Sequence, residues 1–119
     1  MTATATLISG PSTQFGGMKS AVFSVVFTST YPTGGEPINF TTTDNGGFTE
    51  VHAIISAGND TLADNAYSFE AVLPAAGTAA SSSNTLISLW VGTAGVKTEF
   101  TNGGDHTAVG DLKIVVFGK

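Results

Sequence analysis

The sequence contains no cysteine, and this absence excludes several kinds of site at once. A chain without thiols has no disulfide framework, no thiolate metal ligand and no cysteine nucleophile. No apolar run approaches the roughly 18 residues of a membrane-spanning helix, and the first ten residues carry no Lys or Arg of the kind that begins a signal peptide. We therefore expect no membrane segment and no secretion signal, which fits synthesis in a reducing cytoplasm.

Arginine is also absent, and charged residues of all kinds make up only 11% of the chain. Nine acids stand against four lysines, which gives a net charge of −5. Nucleic-acid binding depends on cationic side chains that neutralise phosphates, and an anionic membrane surface would also repel this chain. We expect neither nucleic acid nor membrane as a partner.

Glycine, threonine, serine and β-branched residues dominate what remains. Short apolar or alternating segments follow one another, and each ends at a Gly, Asn or Pro turn signal. This spacing predicts one all-β domain over residues 1–119, a single antiparallel β-sandwich (jelly-roll-like or a related Greek key) with about eight short strands. Little or no helix is expected, at most one turn near residues 61–66. The predicted strands cover residues 2–8, 20–28, 38–43, 48–57, 67–73, 86–91, 96–101 and 111–117.

Two segments are expected to lie outside a regular sandwich. Residues 1–9 form a possible extended N-terminal arm that adds a strand to the sheet edge of a neighbour. An ordinary first strand and a disordered terminus are the alternatives. The candidate interface residues of this arm are Thr2, Ala3, Thr4, Ala5, Thr6 and Leu7. Residues 74–85 are almost all small and predict a flexible loop.

Few residues offer chemistry. On a strand, Glu50, His52 and Ile54 would share one face, and a His beside a carboxylate can act as a base with its orienting group. Asp105 and His106 lie together in a Gly-rich turn. The sequence has no G-x-S-x-G elbow to supply a nucleophile, so we assign no catalytic residue and expect a protein that is not an enzyme. A small hydrolase using these two His–carboxylate pairs is the enzymatic alternative.

Metal and cofactor sites are not indicated. Asp60, Asp64 and Asn65 are close in sequence and could supply oxygen ligands for calcium, but the spacing of a calcium loop is missing. The paired glycines at residues 34–35, 46–47 and 103–104 do not form a phosphate-binding motif. We expect no cofactor and no bound metal.

The segment VFSVVFTSTYPTGGEPI, residues 22–38, resembles the opening of small structural proteins of tailed bacteriophages. In those proteins a Val-rich strand runs into a Tyr-Pro-x-Gly-Gly-Glu turn. The matching residues of this turn are Tyr31, Pro32, Gly34, Gly35 and Glu36. The final segment, DLKIVVFGK, is similar to their closing strand.

The resemblance is to proteins of the head decoration, or capsid cement, type. It implies a non-enzymatic virion protein, made in the bacterial host cytoplasm, that binds the outer capsid surface and clamps neighbouring major capsid subunits. The implied assembly is a homo-oligomer, with a trimer favoured. The alternative is a tail or head-fibre adhesion module that binds host-surface glycan through an exposed aromatic side chain, Trp90 or Tyr67.

Overall fold

The computed structural model describes residues 3–13, 17–27, 31–59, 67–93, 96–99 and 112–119, and this part of the chain is all-β. Its eight strands confirm the predicted number and fold class. They are β1 (Thr4–Thr13), β2 (Lys19–Val26), β3 (Glu36–Pro37), β4 (Val51–Asn59), β5 (Tyr67–Val72), β6 (Leu86–Thr93), β7 (Val96–Glu99) and β8 (Leu112–Gly118).

The strands form two antiparallel sheets that pack as a sandwich. The first sheet has the order β1-β2-β8-β4, so β8 inserts between strands that are far from it in sequence. The second sheet is built around β6. One side of β6 pairs with β5, and its other side pairs first with β3 and then with β7. Long connections between paired strands follow directly from this order.

The core lies between the sheets and consists of the inward-facing side chains of each strand. In β2 the alternation places Ala21, Phe23 and Val25 in the core, all nearly inaccessible to solvent. Phe23 meets Phe40 edge to face at 5.0 Å between ring centroids, a favourable aromatic geometry. The same alternation runs through β8, where buried residues alternate with half-buried ones.

The dense apolar run at residues 20–28 predicts a strand that is covered on both faces, and this prediction is wrong. Val26 is 46% exposed on the outer face of the first sheet, and Val22 is only half-buried. The physical reason is the layer count: a two-layer sandwich covers one face of each sheet and leaves the other outermost.

Two predicted strands, at residues 2–8 and 38–43, differ most from the structure. β1 continues through Pro11 to Thr13, because two register irregularities absorb the proline on an edge strand. The predicted strand at residues 38–43 does not pair in a ladder. Pairing with β6 is confined to the two residues before it, Glu36 and Pro37. Ile38 and Phe40 nevertheless reach the core, so their alternation reflects burial rather than strand pairing.

The sequence Asp-Asn-Gly-Gly at residues 44–47 predicts a turn, and the structure confirms it. A 3-10 turn spans Thr43–Asn45 and ends at Gly46, which has a left-handed φ of 88°. The Lys19 ammonium donates to the carbonyl oxygens of Gly46 and Gly47 at 3.0 and 2.9 Å. This contact ties the start of β2 to the turn.

Some expectations fall outside the described residues. The helical turn near residues 61–66 and residues 100, 101 and 111 of the predicted strands are among them. Across the residues that are described, the structure has no helix of the length and apolarity that crossing a membrane requires.

We predict that Phe23→Ala destabilises the fold by about 3–5 kcal/mol, because it removes a fully buried ring and leaves a cavity. That is a large share of the roughly 5–15 kcal/mol expected for a small domain. Urea unfolding followed by tryptophan fluorescence measures the change. Val72→Ala on an exposed surface is the control and should stay within about 0.5 kcal/mol of the original chain; equal losses in the two variants would contradict this assignment of the core.

Candidate functional site

The segment that carries the family resemblance forms a tight turn between β2 and β3. The N–H of Gly35 donates to the carbonyl of Pro32 at 3.1 Å, which closes a four-residue turn. Its third residue, Gly34, has a φ of 93°, the positive value that a type II turn requires at this position. The sequence Pro-Thr-Gly-Gly is therefore explained by local backbone geometry.

Tyr31 fills a gap in the ladder of the second sheet. β3 pairs with Leu86 and Ile87 of β6, and β7 pairs with residues 90–93 of the same strand. Between these two stretches the N–H of Leu89 donates to the Tyr31 hydroxyl at 3.0 Å. A side chain thus supplies the acceptor that a strand would otherwise provide.

Glu99 completes this arrangement. The Tyr31 hydroxyl donates to Glu99 Oε1 at 2.8 Å, and the Gly34 N–H donates to the same oxygen. One carboxylate of β7 therefore holds both the tyrosine and the turn. The sequence-based analysis missed Glu99, which lies 68 residues from Tyr31 in the chain; no local pattern links the two.

Glu36 is fully buried beside this cluster. It pairs with Ile87 in the ladder and so shares the inward-facing side of the second sheet with that core residue. Of the five matching residues of the turn, Tyr31, Gly35 and Glu36 are buried and Pro32 is half-buried, while Gly34 is exposed. The motif is therefore built mainly into the interior and offers little surface to a partner.

Burial raises the pKa of the Tyr31 hydroxyl above its ordinary value of 10.0. The hydrogen bond to Glu99 and the negative charges of Glu99 and Glu36 raise the pKa further, whereas the N–H of Leu89 lowers it. The neutral phenol, which can both donate and accept, is the form that the cluster requires.

The other predicted pair, Glu50 and His52, is brought together. His52 Nε2 lies 3.1 Å from Glu50 Oε2, and both side chains are more than one-third exposed. They line a pocket of about 170 Å³ with residues 73–78. Solvent competes strongly for so open a pair, which limits what it can do as a catalytic base.

The prediction that Ile54 shares a face with His52 is wrong. A register irregularity between Val51 and Ala53 makes His52 the extra residue of a bulge. Val51 and Ile54 face the core, while His52 and Ile55 are exposed. Strict alternation predicts the face of a strand residue only as far as the first bulge.

Trp90 lies on the outer face of the second sheet and is half-buried rather than in the core. The Lys97 ammonium stands 5.2 Å from its ring centroid and also pairs with Glu70. The indole N–H donates to the Ser88 hydroxyl at 2.9 Å. Both the ring and the N–H of Trp90 are therefore already engaged within the chain.

The candidate arm belongs to the chain's own first sheet. Thr4 to Leu7 pair with β2 in regular register, so the alternative of an ordinary first strand describes them. Ala3 is buried, Ala5 and Leu7 pack against the core, and Thr4 and Thr6 are exposed. The part of these residues in an interface stays a prediction.

β1 is nevertheless an edge strand. No other strand of the described residues pairs along its outer side. A groove of about 400 Å³ runs beside it, lined by Ala3, Thr4, Ala5, Ile38, Asn39, Asn45 and Ser82. An edge strand with a groove beside it can receive an extended segment of another chain.

The segment at residues 74–85 contains no helix or strand. Its backbone is held by several hydrogen bonds, among them the Ala80 N–H to the Thr49 carbonyl at 2.8 Å and the Ser81 N–H to Asn84 Oδ1 at 2.8 Å. The flexibility expected from its composition stays a prediction.

Other candidates from the sequence lie outside the described residues: Thr2, Asp60, Asp64, Asn65, Asp105 and His106. Tyr67 opens β5, where its backbone pairs with Val91. Among the residues that the structure does describe, no three potential metal ligands cluster together.

Comparison of the chain with protein-family models, with curated proteins and with solved structures finds no match in any of the three searches.

We predict that Gly35→Ala destabilises the protein more than Gly34→Ala does. Both positions have positive φ values, 108° and 93°, so both substitutions strain the backbone. Only at Gly35 would the new Cβ also approach the Ile87 carbonyl oxygen, at 2.8 Å; at Gly34 it meets nothing within 4 Å. Chemical denaturation should show an additional loss of about 1–3 kcal/mol at Gly35, and equal losses would mean that the turn does not press on β6.

We predict that Tyr31→Phe lowers stability at neutral pH by about 1–3 kcal/mol, because the buried Leu89 N–H loses its acceptor. It should also flatten the decline of stability in alkali. The folded protein keeps Tyr31 protonated above the pH at which the unfolded chain ionises it, so this contribution is complete below about pH 10 and is lost as pH rises further.

Denaturation curves from neutral pH to about pH 11 test this second effect, and tyrosinate absorbance shows which tyrosine ionises. Tyr67 is present in both proteins and serves as the internal reference. A Tyr31 that ionises in the folded protein at its ordinary pKa would contradict the prediction.

Proposed function

We propose that this protein is a capsid decoration, or cement, protein of a tailed bacteriophage. In this proposal it is not an enzyme and acts on the outer surface of the head, where it binds the major capsid protein and clamps neighbouring subunits. Sequence supports the proposal through the Tyr-Pro-Thr-Gly-Gly-Glu turn and the closing strand. The observation that carries it in the structure is the long uncharged edge of β1.

Edge strands of soluble proteins are usually protected, because their unpaired N–H and C=O groups invite pairing with another chain. Charged side chains, above all lysine, are a common protection. β1 is ten residues long and contains no charged residue. Its regular part is residues 4–7, of which Thr4 and Ala5 line the groove.

The opposite edge of the same sheet is different. There β4 begins at the exposed Glu50–His52 pair, and residues 73–78 share a pocket with that pair. Of the two edges of this sheet in the described residues, the β1 edge has the larger space beside it, a groove of about 400 Å³ against a pocket of about 170 Å³. An extended segment of a capsid subunit is the occupant that fits such an edge, because backbone hydrogen bonds supply the affinity and the groove supplies the selectivity.

Glycan binding through Trp90 has less support. Sugar-binding aromatic residues present a free ring face, whereas Lys97 stands over this ring and Ser88 accepts from its N–H. The adhesion module stays an alternative from the sequence without a supporting contact.

The proposal is tested by co-sedimentation of the purified chain with phage heads that lack it, measured as copies bound per major capsid subunit. Saturation between one copy per subunit and one copy per three subunits would support a cement role. Binding to a handful of sites would place the protein at a portal, tail or fibre instead, and an absence of binding would withdraw the proposal.

We predict that Ser82→Lys weakens head binding by about tenfold or more, because it puts a long charged side chain into the groove beside β1. Ser83→Lys is the matched control: Ser83 is the next residue, is also exposed and does not line the groove. Titration of labelled protein onto heads measures both affinities. Equal affinities for the two variants would exclude the groove as the capsid contact.

A further inference from the structure

The outer face of the first sheet carries a band of apolar side chains. In the register of the sheet, Val22 and Ile55 both pair with Val115, so three β-branched side chains form one row across β2, β8 and β4. Such paired residues stand on the same face, in contact range. Of the two adjoining rows, one consists of Ser20, Phe117 and Ala53, and the other of Ser24, Lys113 and Gly58.

This band is partly open to solvent, since Ile55 is exposed while Val22, Val115 and Phe117 are half-buried. Ile55 is 54% exposed, and further along the same sheet Ile8 and Val26 are 52% and 46% exposed. Single exposed apolar residues are common, but a contiguous apolar patch across several strands is unusual for a protein that acts alone. The face therefore has the character of a contact surface.

The charge distribution indicates what binds there. None of the four strands of the first sheet contains Asp or Glu, although the chain has a net charge of −5. Among the described acids, Glu50 immediately precedes β4, whereas Glu70 and Glu99 belong to strands of the second sheet. Two copies of an acidic chain can meet across this face without bringing carboxylates of its strands together.

We propose that the outer face of the first sheet binds a second copy of this chain, face to face, about a two-fold axis that passes near Val115. A two-fold interface uses the same patch on both copies, so the patch must be complementary to itself. The row meets this condition, because Val115 is flanked by an aliphatic side chain on either side.

The orientation of the pair follows from Lys113, the only Lys that β8 contributes. A two-fold axis that lies between the two faces and runs across the strands places the two Lys113 side chains on opposite sides of the Val115 row. Four residues at about 3.3 Å each then separate them, which is about 13 Å along the strand direction. An axis parallel to the strands would leave them at the same end. The perpendicular axis therefore has less repulsion between the two ammonium groups.

The available area sets the strength of the contact. Four strands at about 4.8 Å and seven residues at about 3.4 Å give a face of roughly 450 Å² per copy. A standard stable interface buries about 800 Å² on each partner. We therefore expect a reversible dimer with a dissociation constant in the micromolar range rather than a permanent one.

This inference goes beyond the proposed capsid contact, which uses the β1 edge, and does not depend on it. It also differs from the trimer expected from the sequence, since a three-fold arrangement does not stack one face on its own copy.

Sedimentation equilibrium of the purified chain, without phage heads, tests the pair. From low to several hundred micromolar protein, the mass should rise from one to two copies of the 12.0 kDa chain. Ile55→Lys should raise the dissociation constant about tenfold or more. Val72→Lys is the matched control, because Val72 is 47% exposed on the second sheet, and should change the constant by less than about twofold.

A chain that stays monomeric throughout, a dimer that tolerates Ile55→Lys, or an assembly of three copies would each overturn the inference. Circular dichroism checks that the variants are folded. If Ile55→Lys fails to fold, Ile55→Thr keeps the β-branched shape and should still weaken the dimer measurably. A chain that stays monomeric but binds phage heads would refute the dimer and leave the cement role intact. A dimer that does not bind heads would refute only the cement role.

Discussion

The second sheet depends on one side-chain hydroxyl. Its central strand β6 pairs with β3 for two residues and with β7 for four, and a backbone N–H remains between the two stretches. A buried N–H without an acceptor costs about 1–3 kcal/mol. The Tyr31 hydroxyl accepts from this N–H and donates its own hydrogen bond to Glu99, so two short strands and a turn are joined at one point.

The composition of the Tyr-Pro-Thr-Gly-Gly-Glu turn follows from this junction. A phenol reaches the ladder, the first glycine provides the positive φ of the turn, and the second allows the backbone to lie against Ile87. The most recognisable motif of the sequence is thus an internal structural element. The contacts that we propose therefore lie elsewhere on the surface.

The apolar runs predicted the positions of β2 and β8 to within two residues, but not that one face of β2 would be open. Side chains of both strands alternate between the core and the outer face, because the two strands pair in unbroken register. Strict alternation failed at β4, where the bulge at His52 reverses the faces of residues 53–56 before a second irregularity follows between Ser56 and Gly58. Ile38 and Phe40 are buried without pairing in a ladder. The Tyr31–Glu99 bond could not be predicted, because it joins residues that meet only through the topology of the second sheet. The Glu50–His52 contact was predictable, since two residues two apart on one strand stay close even when a bulge follows.

Scarcity of charge also shapes the surfaces. Three lysines make side-chain contacts in the described part of the chain. Lys19 donates to backbone carbonyls, Lys97 pairs with Glu70, and Lys113 donates to the Ser24 hydroxyl. These cations therefore do not protect the edge of β1 or cover the centre of the first sheet's outer face. Proteins that must remain monomeric commonly place charges at such positions.

The proposed capsid contact at the β1 edge and the proposed dimer through the outer face of the first sheet would together let so small a domain clamp two capsid subunits. One copy has one such edge and could attach to one subunit. Two copies joined through the outer face of the first sheet would carry two edges, and the second attachment would then be intramolecular. Its effective concentration would be set by the rigid distance between the edges, so a weak dimer and a weak edge contact would strengthen each other on the particle. A permanent dimer would be unnecessary, because the shell itself would hold the copies at high local concentration.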